Sequence, residues 1–170
     1  VSGPALAAHD LVIANGTVYD GTGAPGFRGW VAVDGDRISA IGKGAPPAAV
    51  RTVDASGKAV APGFVNMLSW ATESLLVDGR GLSDLKQGVT LQVMGEGWTM
   101  GPLTDPMRQA MIGQQSSLKF DVPWTTLGEY LAHLEARGIA PNVASFVGAT
   151  TVRIHELGEG DVQPTPEQLT

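Results

Sequence analysis

The chain has 170 residues, an ordinary apolar content of 43% and a formal net charge of −6. That length is enough for a domain with its own core. The acidic balance argues against nucleic acid or an anionic membrane as partner, and no apolar run approaches the roughly 20 residues of a membrane span. The absence of cysteine excludes disulfides and thiolate metal ligands within the chain.

The chain opens on Val1, and residues 1–9 form a leading segment that is mostly small and apolar, with no charged start and no full hydrophobic stretch. It fits a mature terminus left by signal-peptide cleavage, which favours a periplasmic or secreted protein over a cytoplasmic one; a cloning remnant is the other reading. Residues 11–20 hold two short β-rich runs around Asn15-Gly16, a hairpin turn signal, and Asp20-Gly21-Thr22-Gly23 is a further turn. A second hairpin runs from Trp30–Val33 through Asp34-Gly35-Asp36 to Arg37–Gly42. After a Pro46-Pro47 linker, Thr52–Asp54 and Ala59–Ala61 read as more short strand. Residues 10–60 therefore predict a small antiparallel sheet.

Beyond Pro62 the texture changes. Val89–Met94 is a mostly apolar strand that runs into Gly95-Glu96-Gly97. Leu127, Tyr130, Leu131 and Leu134 fall on one helical face, with Thr126 and Glu129 as a capping box and Gly138 as the stop. Asn142–Val147 is another strand, ending at Gly148. Strand, helix and strand in that order predict parallel β/α units with right-handed crossovers.

Thr165-Pro166-Glu167-Gln168 has the marks of a helix start: Thr as N-cap, Pro at the first helical position and Gln closing a capping box. The chain stops at Thr170, before one turn can be stabilised. This predicts a fold continued by a C-terminal remainder of the same precursor, either a missing segment or a second chain of a cleaved or self-cleaved heterodimer. A new N-terminal Ser, Thr or Cys there would be a potential nucleophile.

The stretch Ala61-Pro62-Gly63-Phe64-Val65-Asn66-Met67-Leu68-Ser69-Trp70 resembles the first barrel strand of the metal-dependent amidohydrolases. Residues 10–170 as a whole resemble the N-terminal third of the N-acyl-D-amino-acid deacylases of that superfamily. The likeness is carried by Asp10–Gly23, Val33–Gly42, Gln87-Gly88-Val89-Thr90, Glu129-Tyr130-Leu131, Asn142-Val143-Ala144 and the Val147–Arg153 segment. It implies an α/β fold: residues 10–60 as half of a small β-sandwich, and residues 61–170 as the first three β/α units of a (β/α)8 TIM-like barrel. Three strands cannot close a barrel, so the rest lies outside this chain. The departures are chemical. The family's His-x-His falls on Leu68 and Trp70, its acidic position on Asn66, its metal-binding Cys on Gly97, and a common third-unit His on Ala149.

Glu96 then stands as the one carboxylate beside the vacated Cys position, at a strand end where barrel active sites sit. It is either a metal ligand in place of the thiolate, which needs a local bulge to redirect it, or a loop acid satisfied by backbone amides or an Arg. Trp70 and Trp98 either wall an apolar substrate pocket or plug the barrel top. Ser69 is a hydrogen-bond donor to substrate or a plain barrel residue. Of the three histidines, His9 lies in the leading segment and His133 reads as a solvated helix residue. His155 follows strand three in a loop near the active face, as a remote choice of ligand or proton shuttle. Gly95 and Gly97 lack the Lys-Ser/Thr pair of a phosphate loop.

The resemblance implies a metal-dependent hydrolase that cleaves a C–N amide bond of an N-acylated amino acid or related small-molecule amide. Zinc or another divalent metal would be held mostly by residues outside this chain, with the catalytic base there too, so no residue here is assigned a catalytic role. A homo-oligomer is compatible with this reading. The rival is a divergent enzyme or noncatalytic binding protein on the same scaffold that has lost metal-dependent hydrolysis.

Overall fold

A computed structural model describes residues 8–169; the apolar opening, residues 1–7, and Thr170 lie outside the described residues. The chain divides between Pro62 and Gly63 into two compact units.

The first unit is a five-stranded sheet built on β1 (His9–Val18), β2 (Phe27–Asp34), β3 (Arg37–Gly42), β4 (Ala49–Asp54) and β5 (Ala59–Val60). The order is β3-β2-β1-β4, with β5 also on β1. Val12, Ala14 and Ala32 form its core, with Trp30, Ala40 and Ala49 packed around them. The hairpin expected after Trp30 is present, and Asp34 pairs with Arg37 across Gly35-Asp36.

Two expectations for this unit are corrected. The sheet is mixed, because β4 and β5 pair parallel to β1. Residues 43–48 reach about 20 Å when extended, enough to carry the chain from β3 past β2 and β1 at about 4.8 Å per strand. Asn15-Gly16 is a bulge inside one continuous strand, and no hairpin forms there. Ile13 pairs with Val31 and Gly16 with Gly29, so β1 holds one residue more than β2. Asn15 takes the left-handed conformation (φ 64°), and its Nδ2 donates to Asp54 Oδ1 at 2.9 Å. A side chain on Gly16 would run into Val60. The residue pair that suits a tight turn also suits a bulge, since both need a left-handed residue. β1 starts at His9, inside the leading segment, because His9 N–H bonds Ala48 carbonyl at 3.0 Å.

The second unit runs β6 (Phe64–Asn66), α1 (Ser74–Val77), α2 (Leu82–Leu85), β7 (Val89–Met94), α3 (Asp105–Gln114), α4 (Leu127–Arg137), β8 (Asn142–Ser145) and α5 (Ala149–Leu157). A short 3-10 turn, Pro166–Leu169, follows. β6, β7 and β8 form a three-stranded parallel sheet in that order. The register Asn66–Gln92–Val143 puts those three residues on one face. On that face Met94 joins a core of Leu75, Leu76, Met100, Leu103, Trp124, Tyr130 and Leu134. Tyr130 meets Trp124 edge-on at 5.2 Å, and each finds a backbone carbonyl: Tyr130 OH donates to Thr72 and Trp124 Nε1 to Met100. On the opposite face the flanking Val65 and Ala144 are exposed, Leu91 is half-buried and Val93 of the central strand is buried.

α4 forms as its sequence predicts. Thr126 Oγ1 accepts from Glu129 N–H, the Glu129 carboxylate accepts from Thr126 N–H, and Gly138 ends the helix in the left-handed region. His133 is corrected from solvated to half-buried: its ring lies 5.3 Å from that of Trp124. His155 sits in α5 and not in a loop. Gly148 starts that helix, and the fully buried Thr151 holds it down.

Candidate functional site

The chemically distinctive residues sit just past the C-terminal ends of β6 and β7. Ser69 continues the pairing beyond β6, its N–H bonding Val93 carbonyl at 2.9 Å. Its hydroxyl turns into the protein, donating to Gln92 Oε1 at 2.8 Å and accepting from Ala71 N–H. Gln92, completely buried in β7, passes its amide on to Asp84 of α2 at 3.1 Å. Asp84 also accepts from Asn66 Nδ2, and Asn66 Oδ1 accepts from Leu68 N–H. A bend at Met67-Leu68 follows β6, so that Ser69, three residues after Asn66, is the side chain anchored inward. Leu68 and Trp70 are both exposed, Trp70 at 70%.

After β7 the backbone turns on two left-handed glycines, Gly95 (φ 90°) and Gly97 (φ 75°). A Cβ on Gly95 would strike Phe146 carbonyl, and one on Gly148 would strike Gly97 carbonyl. The loop therefore lies against the start of α5 at backbone contact. Buried threonines fix it there. Thr99 N–H donates to Thr151 Oγ1 at 2.7 Å, Gly148 N–H donates to Thr99 Oγ1, and Thr99 Oγ1 donates to Gly101 carbonyl. The turn closes with Trp98 N–H on Glu96 carbonyl at 2.9 Å. It leaves Glu96 exposed and Trp98 43% exposed.

Glu96, Trp70, Trp98, Leu68, Ser69 and Thr72 share the lining of a recess of about 30 Å³. Trp98 is also a wall of a larger groove of about 220 Å³ that carries Glu73 and Glu159. The residues expected to bind substrate, Ser69, Trp70 and Trp98, thus meet with Glu96 in one place. A groove of about 550 Å³ lies elsewhere, lined by α4 and the entry to β8 through Gly128, Glu135 and Asn142. It faces away from the end at which parallel strands build barrel active sites.

The described residues do not by themselves complete a metal site. Leu68, Trp70, Gly97 and Ala149 offer no ligand atoms. Among the described residues no three His, Asp or Glu side chains converge, and Glu96 finds no second carboxylate or imidazole to complete a site. Each histidine is engaged individually: His9 Nδ1 with Asp34 Oδ2 at 2.8 Å, His155 Nδ1 with Glu156 Oε1 at 2.7 Å, and His133 against Trp124. The Ser39 hydroxyl, followed by His9, lowers the pKa of Asp34. Burial drives the Tyr130 hydroxyl well above its ordinary pKa, so it serves the core as a neutral donor. Among the described residues no helix is long and apolar enough to cross a membrane.

The sequence missed the Asp84–Gln92–Ser69 chain and the Thr99–Thr151 pair. A glutamine inside an apolar strand was the available signal for the first, because a buried amide needs partners. No signal in the sequence links Thr99 to Thr151.

No protein-family model matches the chain. It is 34% identical over 164 residues to a D-aminoacylase of Alcaligenes xylosoxydans xylosoxydans, covering 94% of this chain and 33% of that protein. An N-acyl-D-aspartate deacylase of the same organism is 34% identical over 154 residues, covering 88% of this chain and 30% of that protein. Among solved structures, a D-aminoacylase described as defining a novel subset of amidohydrolases superposes with a TM-score of 0.78 at 32% identity, covering 95% of this chain and 34% of that one. An N-acyl-D-glutamate deacylase of Bordetella bronchiseptica, bound to zinc and a phosphonate mimic of the tetrahedral intermediate, gives 0.74 at 32% identity, with the same shares covered. The chain spans about a third of the length of these relatives.

Proposed function

We propose that this chain is the N-terminal third of a hydrolase of the N-acyl-D-amino-acid deacylase family in the amidohydrolase superfamily, a reading supported by its 34% identity to a D-aminoacylase over 94% of the chain. The bond cleaved is the C–N amide of an N-acylated amino acid or related amide. In this reading β6, β7 and β8 are the first three strands of a (β/α)8 barrel, and the face with Val65, Val93 and Ala144 turns toward the barrel interior. A C-terminal remainder supplies the other strands, the catalytic base and any metal ligands. The metal that the relatives use would polarise the amide carbonyl and activate water. The residues of this chain have a different task. Trp70 and Trp98 present apolar walls at the strand ends, where they exclude water from a bound acyl or side-chain group. The buried Ser69–Gln92–Asp84 chain fixes the strand end that carries Leu68 and Trp70. The observation that carries the reading is identity and superposition over nearly the whole chain with structures of D-aminoacylases.

The test is amine release by the full-length protein from a panel of N-acetyl D- and L-amino acids, with and without added zinc. Hydrolysis of at least one N-acyl amino acid is expected, and none under either condition would sink the reading. The rival, a divergent enzyme or binding protein, draws on the four positions without donors. It is favoured if the full-length protein binds an N-acyl amino acid and leaves it intact.

A further inference from the structure

We propose that the recess between Trp70, Trp98 and Glu96 is a subsite for a primary ammonium group. The proposal rests on the hydrolase reading for the identity of the ligand as substrate; the binding itself does not depend on it.

Four observations carry the assignment. First, two indoles stand open to solvent on the same small recess. An aromatic face left without a protein partner attracts a cation within about 6 Å of its centre through the ring quadrupole. Second, the Glu96 carboxylate on that recess is exposed and makes no hydrogen bond or ion pair with the described residues, so its charge is available. Third, the recess of about 30 Å³ exceeds the roughly 10–15 Å³ that one water needs, and so suits a single small –NH3⁺ head better than a bulkier quaternary group. Fourth, no Lys or Arg lines the recess or the groove across Trp98, where Glu73 and Glu159 extend the negative lining. A cleft of one sign concentrates ligands of the other.

Among the described residues the recess completes no divalent-ion site: Ser69 already donates to Gln92 and accepts from Ala71, which leaves Glu96 as the single anionic donor on its lining. A carboxylate and an aromatic wall together suit an ammonium group, and both are present on the lining. The substrate class that follows is an N-acylated amine or amino acid with a second, free primary ammonium, such as an Nα-acyl lysine.

The full-length protein labelled with 5-fluorotryptophan provides the test, with the fluorine signals of Trp70 and Trp98 assigned from the Trp70→Phe and Trp98→Phe variants. Titration with n-butylammonium chloride should shift both signals saturably. The neutral isostere 1-butanol should not, and Glu96→Gln should weaken the ammonium response by up to about fivefold. Equal responses to the two probes, no saturable shift, or an unchanged Glu96→Gln variant would overturn the subsite. So would a Glu96-dependent shift produced by zinc chloride and not by butylammonium. Hydrolysis separates this from the parent reading. Glu96-dependent ammonium binding without amide cleavage removes the hydrolase and leaves the subsite. Equal cleavage of Nα-acetyl-lysine and Nα-acetyl-norleucine with no ammonium response removes the subsite and leaves the hydrolase.

Discussion

Ser69 Oγ donates a 2.8 Å hydrogen bond to Gln92 Oε1, and both side chains are buried. Two parallel strands are thereby tied side chain to side chain at the level where the exposed Trp70 leaves the sheet. Ser69→Ala strands the Gln92 carbonyl without that partner, at a cost of about 1–3 kcal/mol. Urea denaturation should show this loss. If Ser69 instead serves substrate, the variant keeps its stability and KM alone rises.

The Thr99–Thr151 pair gives an independent expectation. Thr151→Val keeps the shape of a fully buried side chain but removes the acceptor of Thr99 N–H. A buried amide without a partner costs about 1–3 kcal/mol. Thr151→Ser retains the hydroxyl and should recover most of that loss. Thermal melts of the two variants side by side provide the check, and equal destabilisation would show that the methyl, not the hydrogen bond, holds the loop.

Gly95 and Gly57 both have positive φ, at 90° and 73°, but only Gly95 is crowded. A Cβ there meets Phe146 carbonyl, whereas Gly57 faces open space. Gly57→Ala should cost about 1 kcal/mol for the left-handed backbone alone. Gly95→Ala should cost clearly more, because packed neighbours must move as well. Chemical denaturation of both variants measures the difference.

The α4 capping box makes a pH prediction. Backbone N–H groups of Thr126 and then Thr125 hold the Glu129 carboxyl below its ordinary pKa of 4.5. A group whose pKa is lowered by folding stabilises the fold fully above its unfolded value, and that contribution fades as pH falls through the folded value. Glu129→Gln should therefore lower the melting temperature at pH 7 and match the parent protein more closely as pH drops below about 4.5. A gap that stays constant with pH would contradict a role for the charge.

Local chemistry determined what the sequence alone could reveal. The i, i+3, i+4 stripe from Leu127, the Thr126–Glu129 box and Gly138 specify α4 because every partner lies within one or two turns. The apolar runs around Val89 and Asn142 specify strands by composition, and the absence of ligand atoms at Leu68 and Trp70 is plain from residue type. Tertiary structure decided what depends on partners distant in sequence. Asn15-Gly16 suits a turn or a bulge equally, and only pairing with β2 and the bond to Asp54 made it a bulge. Strand direction in the first unit followed from where residues 43–48 delivered the chain. Half-burial of His133 required Trp124 to pack against it. The convergence of Trp70, Glu96 and Trp98 on one recess is of the same kind. Side-chain types are written in the sequence, but their meeting point is set by parallel strand register and by two left-handed glycines, through contacts that no local pattern encodes.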